Sequence, residues 1–252
     1  MTNSRCPALR VVGSGSAIAT ASRGQACLAL LRVNAGGTVL LDAGDGTSRA
    51  LAMAGITPQS IAGIVVSHLH PDHAAGLPAL VQQLRLCRVA APEPAVIWLP
   101  REAESKFADV MAFYGLSARR LDGVVRIRYF EPNRGFAIGG TLWITPLPNA
   151  HLTPGGRGPL HSSFSLLAEL EEHRLFYSGD LGGPDDLHWP APERVDLAVV
   201  DAGHLSADAA ARAAFEQGAE RVLLTHLEQP SPPRRAANPD LLWAHDGMEI
   251  DW

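Results

Sequence analysis

The stretch Val65-Val-Ser-His-Leu-His-Pro-Asp-His-Ala-Ala-Gly76 gathers His68, His70, Asp72 and His73 within six residues. A strand-like apolar run leads into it and a helix-forming stretch follows. On an extended backbone, residues two apart leave on the same side, so the imidazoles of His68 and His70 can reach one cation. Asp72 and His73 fall where the chain turns toward the helix and can serve a second cation nearby. Two ions roughly 3.5–4 Å apart generate a hydroxide and hold both the attacking and the leaving oxygen. A single histidine is usually a packed or surface residue; three with an aspartate at this spacing are better explained as ligands.

Outward from the cluster, strand-like runs occupy residues 9–12, 27–33, 38–42 and 61–67, each bounded by Gly, Asn, Asp or Pro. Residues 47–54 read as a helix closed by Gly55, and 77–88 as an amphipathic helix. Beyond them come a strand at 95–99, a helix at 102–114 stopped at Gly115, and strands at 124–130 and 141–146. A hairpin spans 163–169 and 174–178, turned through Glu171 and Glu172. A buried-type strand at 196–201, an Ala-rich helix at 207–217 and a strand at 221–225 follow, and Asp246-Gly247 is a turn that could close a final hairpin. Gly13-Ser-Gly-Ser lacks the third glycine of a nucleotide fingerprint and reads as a strand-to-loop turn. Strands thus come in two batches, each with helices after it, which points to two sheets with helices packed outside them.

Composition narrows the function classes. The chain has 252 residues, 46% hydrophobic and 19% charged, and reads as one domain over 1–252 without a linker or repeat. Its net charge of −5 gives no general attraction to nucleic acid or an anionic membrane. The three cysteines, Cys6, Cys27 and Cys87, form no C-x-x-C pair, which argues against a zinc ribbon or a dithiol redox centre. No apolar leader or membrane-length run is present, so a cytoplasmic protein without membrane partners is the expectation.

His-x-His-x-Asp-His after a strand resembles the central motif of the metallo-β-lactamase superfamily. The resemblance implies an α/β fold, an αββα sandwich of two mixed β-sheets with outer helices and metals at one edge. It also implies three further ligands on later loops. His151, just beyond a strand end, matches the third, with His161 in Leu160-His-Ser-Ser competing for the role. Asp180 in Tyr177-Ser-Gly-Asp matches the carboxylate between the metals, and His226 in Val222-Leu-Leu-Thr-His the last. The implied ligands are therefore His68, His70, Asp72, His73, His151, Asp180 and His226. They would hold two divalent ions, Zn²⁺ by ligand type, with Mn²⁺ or Fe²⁺ as alternatives.

Gly13-Ser-Gly-Ser-Ala17 and Leu40-Leu-Asp-Ala-Gly-Asp-Gly46 resemble the opening strands of the ribonuclease Z branch. There the Asp42-Ala-Gly44 turn supports the metal loop from below, which places Asp42 behind the ligands. His204, in Asp201-Ala-Gly-His-Leu-Ser206, is similar to an active-site histidine outside the metal shell in ribonuclease Z and in the cyclic-phosphate phosphodiesterase of the carbon–phosphorus lyase pathway. The plain alternative is a loop histidine before a helix capped by Ser206. Two departures stand out. The interval from His151 to Asp180 is too short for the arm with which ribonuclease Z grips tRNA, and the cysteine-rich zinc site of the cyclic-phosphate enzyme is missing.

The resemblance implies a dinuclear metal-dependent hydrolase acting on a phosphodiester, and the departures, with the negative net charge, argue for a small substrate and against tRNA as a partner. In it Asp72 orients the metal-activated hydroxide and His204 serves the leaving oxygen. The alternative is a carboxyl-ester, lactone or thioester hydrolase on the same metals; Trp189 and Phe164 would then line an acyl pocket, although aromatic core is the commoner use for both. Residues 155–158, holding Arg157, read as a substrate-side loop. Related enzymes are often homodimers, and nothing in the sequence marks an interface.

Overall fold

Runs of valine, leucine and isoleucine that barely alternate suit strands covered on both faces, and such strands fill the middle of the molecule. The computed structural model describes residues 7–33, 37–87, 93–152, 162–190, 194–228 and 238–252. Strands β1 (Ala8–Gly13), β2 (Cys27–Leu31), β3 (Thr38–Leu41), β4 (Ile61–Val65), β5 (Ala95–Pro100) and β6 (Val125–Phe130) lie side by side in that order. Strands β7 (Phe136–Ile138), β8 (Leu142–Asn149), β9 (Ser163–Leu170), β10 (His173–Tyr177), β11 (Val195–Asp201), β12 (Ala219–Thr225) and β13 (Leu241–Trp243) form the second sheet, again in chain order. β14 (Glu249–Asp251) returns to the first sheet and pairs antiparallel with β1. Each sheet is mixed: β1 to β3 and β7 to β10 are antiparallel, whereas β3 to β6 and β10 to β13 are parallel.

Alternation along the strands sorts side chains into layers. In β2, Leu28 and Leu30 face the core between the sheets, with Leu166 and Val199 from the second sheet. Cys27 and Ala29 face the other way, toward the helices on the first sheet. Those helices are α1 (Thr47–Met53), α2 (Pro71–Ala74), α3 (Leu77–Cys87), α4 (Phe107–Phe113) and α5 (Ala118–Leu121); α6 (Ala207–Glu216) covers the second sheet through Ala210, Ala211 and Ala214. The architecture is the expected αββα sandwich. Each fully buried leucine contributes roughly 1.5–3 kcal/mol, so the inter-sheet layer is the main source of stability. Among the described residues, no helix is long and apolar enough to cross a membrane.

Two expectations need correction. The helix expected over 102–114 is broken at Lys106, where φ is −127°; a tight turn at Arg101–Ser105 precedes α4. Asp246-Gly247 closes no hairpin. β13 pairs with β12 and β14 with the free edge of β1, so the turn carries the chain from one sheet to the other. Asp246 instead accepts hydrogen bonds from the Ser14 amide and hydroxyl and from the Gly24 amide, which fixes the Gly13-Ser-Gly turn as a structural tie. Trp189 and Phe164 are aromatic core, the commoner of the two uses expected for them. Trp189 packs on Phe176 in the layer under α6, and Phe164 lies between the sheets.

Candidate active site

Both sheets send their parallel strands toward one edge, and the polar residues collect at the carboxyl ends there. The segment 66–73 follows β4, His151 follows β8, Asp180 follows β10, Asp201 ends β11 and His226 follows β12. His226 adopts φ +57°, a left-handed turn that swings its imidazole back over the edge. A Cβ on Gly203 would stand 2.5 Å from the His226 carbonyl oxygen, so the neighbouring loop passes this turn only as glycine. Gly44 is likewise required, because a Cβ there would run into the carbonyl of Asp72.

All seven side chains expected to bind metal come together. His68, His70, His151 and Asp180 form one cluster, and Asp72, His73, Asp180 and His226 a second, with the donor atoms of each within 4.8 Å of one another. Asp180 belongs to both, and its two oxygens divide between them. Oδ2 lies 3.6 Å from His68 Nε2 and 3.5 Å from His151 Nε2, while Oδ1 lies 3.0 Å from His73 Nε2 and 3.3 Å from His226 Nδ1. His161, Arg157 and the 155–158 loop lie outside the described residues.

Several of these atoms are buried without a partner. His68 Nε2, His73 Nε2, Asp180 Oδ1 and His226 Nδ1 make no hydrogen bond, although a buried unpaired polar atom costs about 1–3 kcal/mol. Imidazoles and carboxylates that converge on one another, with these atoms lacking any partner outside the clusters, are the donor set of a divalent-cation site. The charges agree. Burial alone would discharge His73, but Asp180 and Asp42 outweigh it and hold the imidazole well above its usual range. Burial would also raise Asp180, yet His73, His226 and His68 hold it below the usual carboxylate range. The pair asks for positive charge between them. His68 is pushed below its usual range, first by burial and then by His73, so it stays a neutral donor.

Behind the clusters, Asp42 sets the tautomers. His73 Nδ1 donates to Asp42 Oδ2 at 2.6 Å, which leaves Nε2 free to face the cluster. His68 Nδ1 reaches Ser67 Oγ at 3.1 Å, and Ser67 in turn donates to Asp42 through its hydroxyl at 2.8 Å and its amide at 2.6 Å. At the rim, His204 Nδ1 lies 2.9 Å from Asp201 Oδ2. That hydrogen bond holds the imidazole above its usual range against burial. Asp201 is itself fixed by the amides of Leu181, Gly203 and His204.

Three supporting residues escaped sequence reasoning. Asp201 looked like an ordinary strand end. Asp186 accepts from the amides of Ala150 at 3.0 Å and Gly182 at 2.7 Å, and so ties the loop bearing His151 to the loop bearing Asp180. Asn149 accepts from the His151 amide and donates to the Ser178 carbonyl. Only the position of Asn149, two residues before His151, offered any hint.

The sequence model of the Beta-lactamase superfamily domain matches residues 37–227. Ribonuclease Z of Salinispora arenicola (strain CNS-205) is 28% identical over 249 residues, covering 77% of this chain and 77% of that protein. In fold, human tRNase Z, short form, has a TM-score of 0.72 at 21% identity, covering 96% of this chain and 98% of that chain. A diphosphatase from the PhnP family has a TM-score of 0.71 at 16% identity, covering 98% of both. With the family match spanning most of its length, over this pair of sheets and these clusters, the chain belongs to the β-lactamase superfamily and to its ribonuclease Z-like branch.

Proposed function

We propose that this protein is a dinuclear metal-dependent hydrolase of small phosphodiesters. The observation that carries the reading is the His204–Asp201 pair, set beside two His/Asp clusters that share Asp180 but outside both ligand sets expected from the sequence. Divalent ions held by His68, His70 and His151 on one side and Asp72, His73 and His226 on the other, with Asp180 between, would acidify a water and offset charge at the attacked centre. Imidazole and carboxylate ligation favours Zn²⁺, with Mn²⁺ and Fe²⁺ as the alternatives.

The remaining work falls to the chain itself. Asp72, which lines a cavity over the clusters together with His204, orients the nucleophile and takes its proton. His204, whose imidazole the hydrogen bond to Asp201 holds above its usual range, donates to the leaving oxygen, a need greatest for a poor leaving group such as an alkoxide. Transfer RNA does not fit the reading. The β9–β10 hairpin fills most of the interval between His151 and Asp180, and only residues 150–162 join β8 to β9, leaving no length for a gripping arm.

The test is hydrolysis of bis-p-nitrophenyl phosphate against p-nitrophenyl acetate and a lactone by protein loaded with zinc or manganese. Preference for the diester is the expected result. Preference for the acetate or the lactone would overturn it in favour of an ester, thioester or lactone hydrolase on the same clusters.

A further inference from the structure

Two cavities meet at the metal loop. Leu69 and His70 lie on extended backbone, where successive side chains leave on opposite sides, and helix α2 begins at Pro71 and turns Asp72 back toward the clusters. Accordingly His70 and Asp72 line the cavity of about 340 Å³ over the clusters, while Leu69 and Pro71 line a second cleft of about 600 Å³. One backbone ridge thus separates the two.

The cavity over the clusters has no lysine or arginine among its described lining residues. It has Glu228 instead, and Ile18 stands 77% exposed at its wall. Among the described residues, His204 is the one cationic side chain an anion would meet there besides the cations, and Glu228 opposes a second negative charge. The neighbouring cleft is walled by Ala74, Phe107, Val110 and Met111 besides Leu69 and Pro71, and its charged walls are Glu102 and Lys106, one of each sign. Val110 is 45% and Tyr114 60% exposed within it. Apolar side chains left open in a concavity of ligand size mark a place where an apolar group is covered.

We infer that this cleft receives the apolar organic group of the substrate, an alkyl chain of roughly four to eight carbons or an aromatic ring, while the scissile ester lies across the ridge at the clusters. The inference rests on the hydrolytic reading above and narrows its substrate class to esters carrying one negative charge and one apolar arm.

Two measurements on the metal-loaded protein test it. Calorimetric titration with monoalkyl phosphates from ethyl to octyl reads the cleft by binding. Hydrolysis of p-nitrophenyl alkyl phosphates with the same chains reads it by turnover. Affinity and kcat/KM are expected to rise about two- to fourfold per methylene until the cleft is full, on the order of 10²- to 10³-fold from ethyl to octyl. Val110→Asp, which charges an exposed wall, and Ala75→Trp, which fills the cleft from an exposed position in the turn after α2, should flatten both series. Met53→Asp, at an exposed residue lining a different cavity, should leave the slopes intact. Flat series, or slopes that neither cleft variant changes, would overturn the inference. Sloped binding without any diester cleavage would sink the phosphodiester reading and leave the cleft standing; cleavage without a slope would do the reverse.

Discussion

The phenol of Tyr177 donates a 2.7 Å hydrogen bond to Asp42 Oδ2, joining the second sheet to the first directly behind the clusters. Burial, and then the charge of Asp42, push the phenol well above its usual pKa, so it remains a donor across the working pH range. Asp42 therefore collects Tyr177, His73 and both donors of Ser67, and is satisfied as an anion while fully buried.

Tyr177→Phe should leave the fold intact while costing about 1–3 kcal/mol in urea unfolding, since a buried carboxylate loses one donor. Apparent metal affinity, read by chelator competition, should fall about tenfold because His73 is held less firmly. No change in either would reduce Tyr177 to a packing residue.

Elemental analysis of the loaded protein should find close to two divalent ions per chain. Asp180→Ala should lower metal content more than any other single ligand change, since both clusters use that carboxylate. At most one ion in the wild-type protein, after loading with zinc or manganese, would refute the dinuclear assignment.

His151→Ala should lose metal and nearly all turnover, whereas His161→Ala should keep its metal. The reverse pattern would mean that the histidine of the His68, His70 and Asp180 cluster is not the working ligand.

His204→Ala should keep metal content and fold while diester turnover falls about 10²–10⁴-fold. The loss should be smaller with p-nitrophenolate as leaving group than with an alkoxide. Equal losses would point to binding or charge stabilisation, and no loss would make His204 a plain loop residue before α6.

Asp186→Ala should weaken metal affinity on the order of tenfold without touching any ligand, by freeing the Ala150 and Gly182 amides that fix two ligand loops. Asp185→Ala, at the neighbouring position, is the control. Equal effects of the two would indicate general loosening of the turn.

What could be read from residues alone follows from how local each signal is. His68 to His73 are contiguous, and Asp180 and His226 each close an apolar run, so strand ends and donor types could be recognised together. Asp201 and Asp186 act through backbone amides brought to them by folding; Ala150 lies 36 residues from Asp186. β7, at Phe136–Ile138, is too short for alternation to show. β13 and β14 take partners far along the chain, so their turn looked like a hairpin. At Lys106 no glycine or proline marks where the helix breaks.

The division of donors between the sheets sets an order of events. The end of β4 supplies His68, His70, Asp72 and His73, and the second sheet supplies His151, Asp180 and His226. A nascent chain that has built only β1 to β6 holds half of each cluster and closes neither. Cation capture by the proposed ligands is therefore a late step, possible only after the two sheets have docked. Once captured, the ions act as rivets across the seam, and by mass action they hold together the halves whose meeting created their sites.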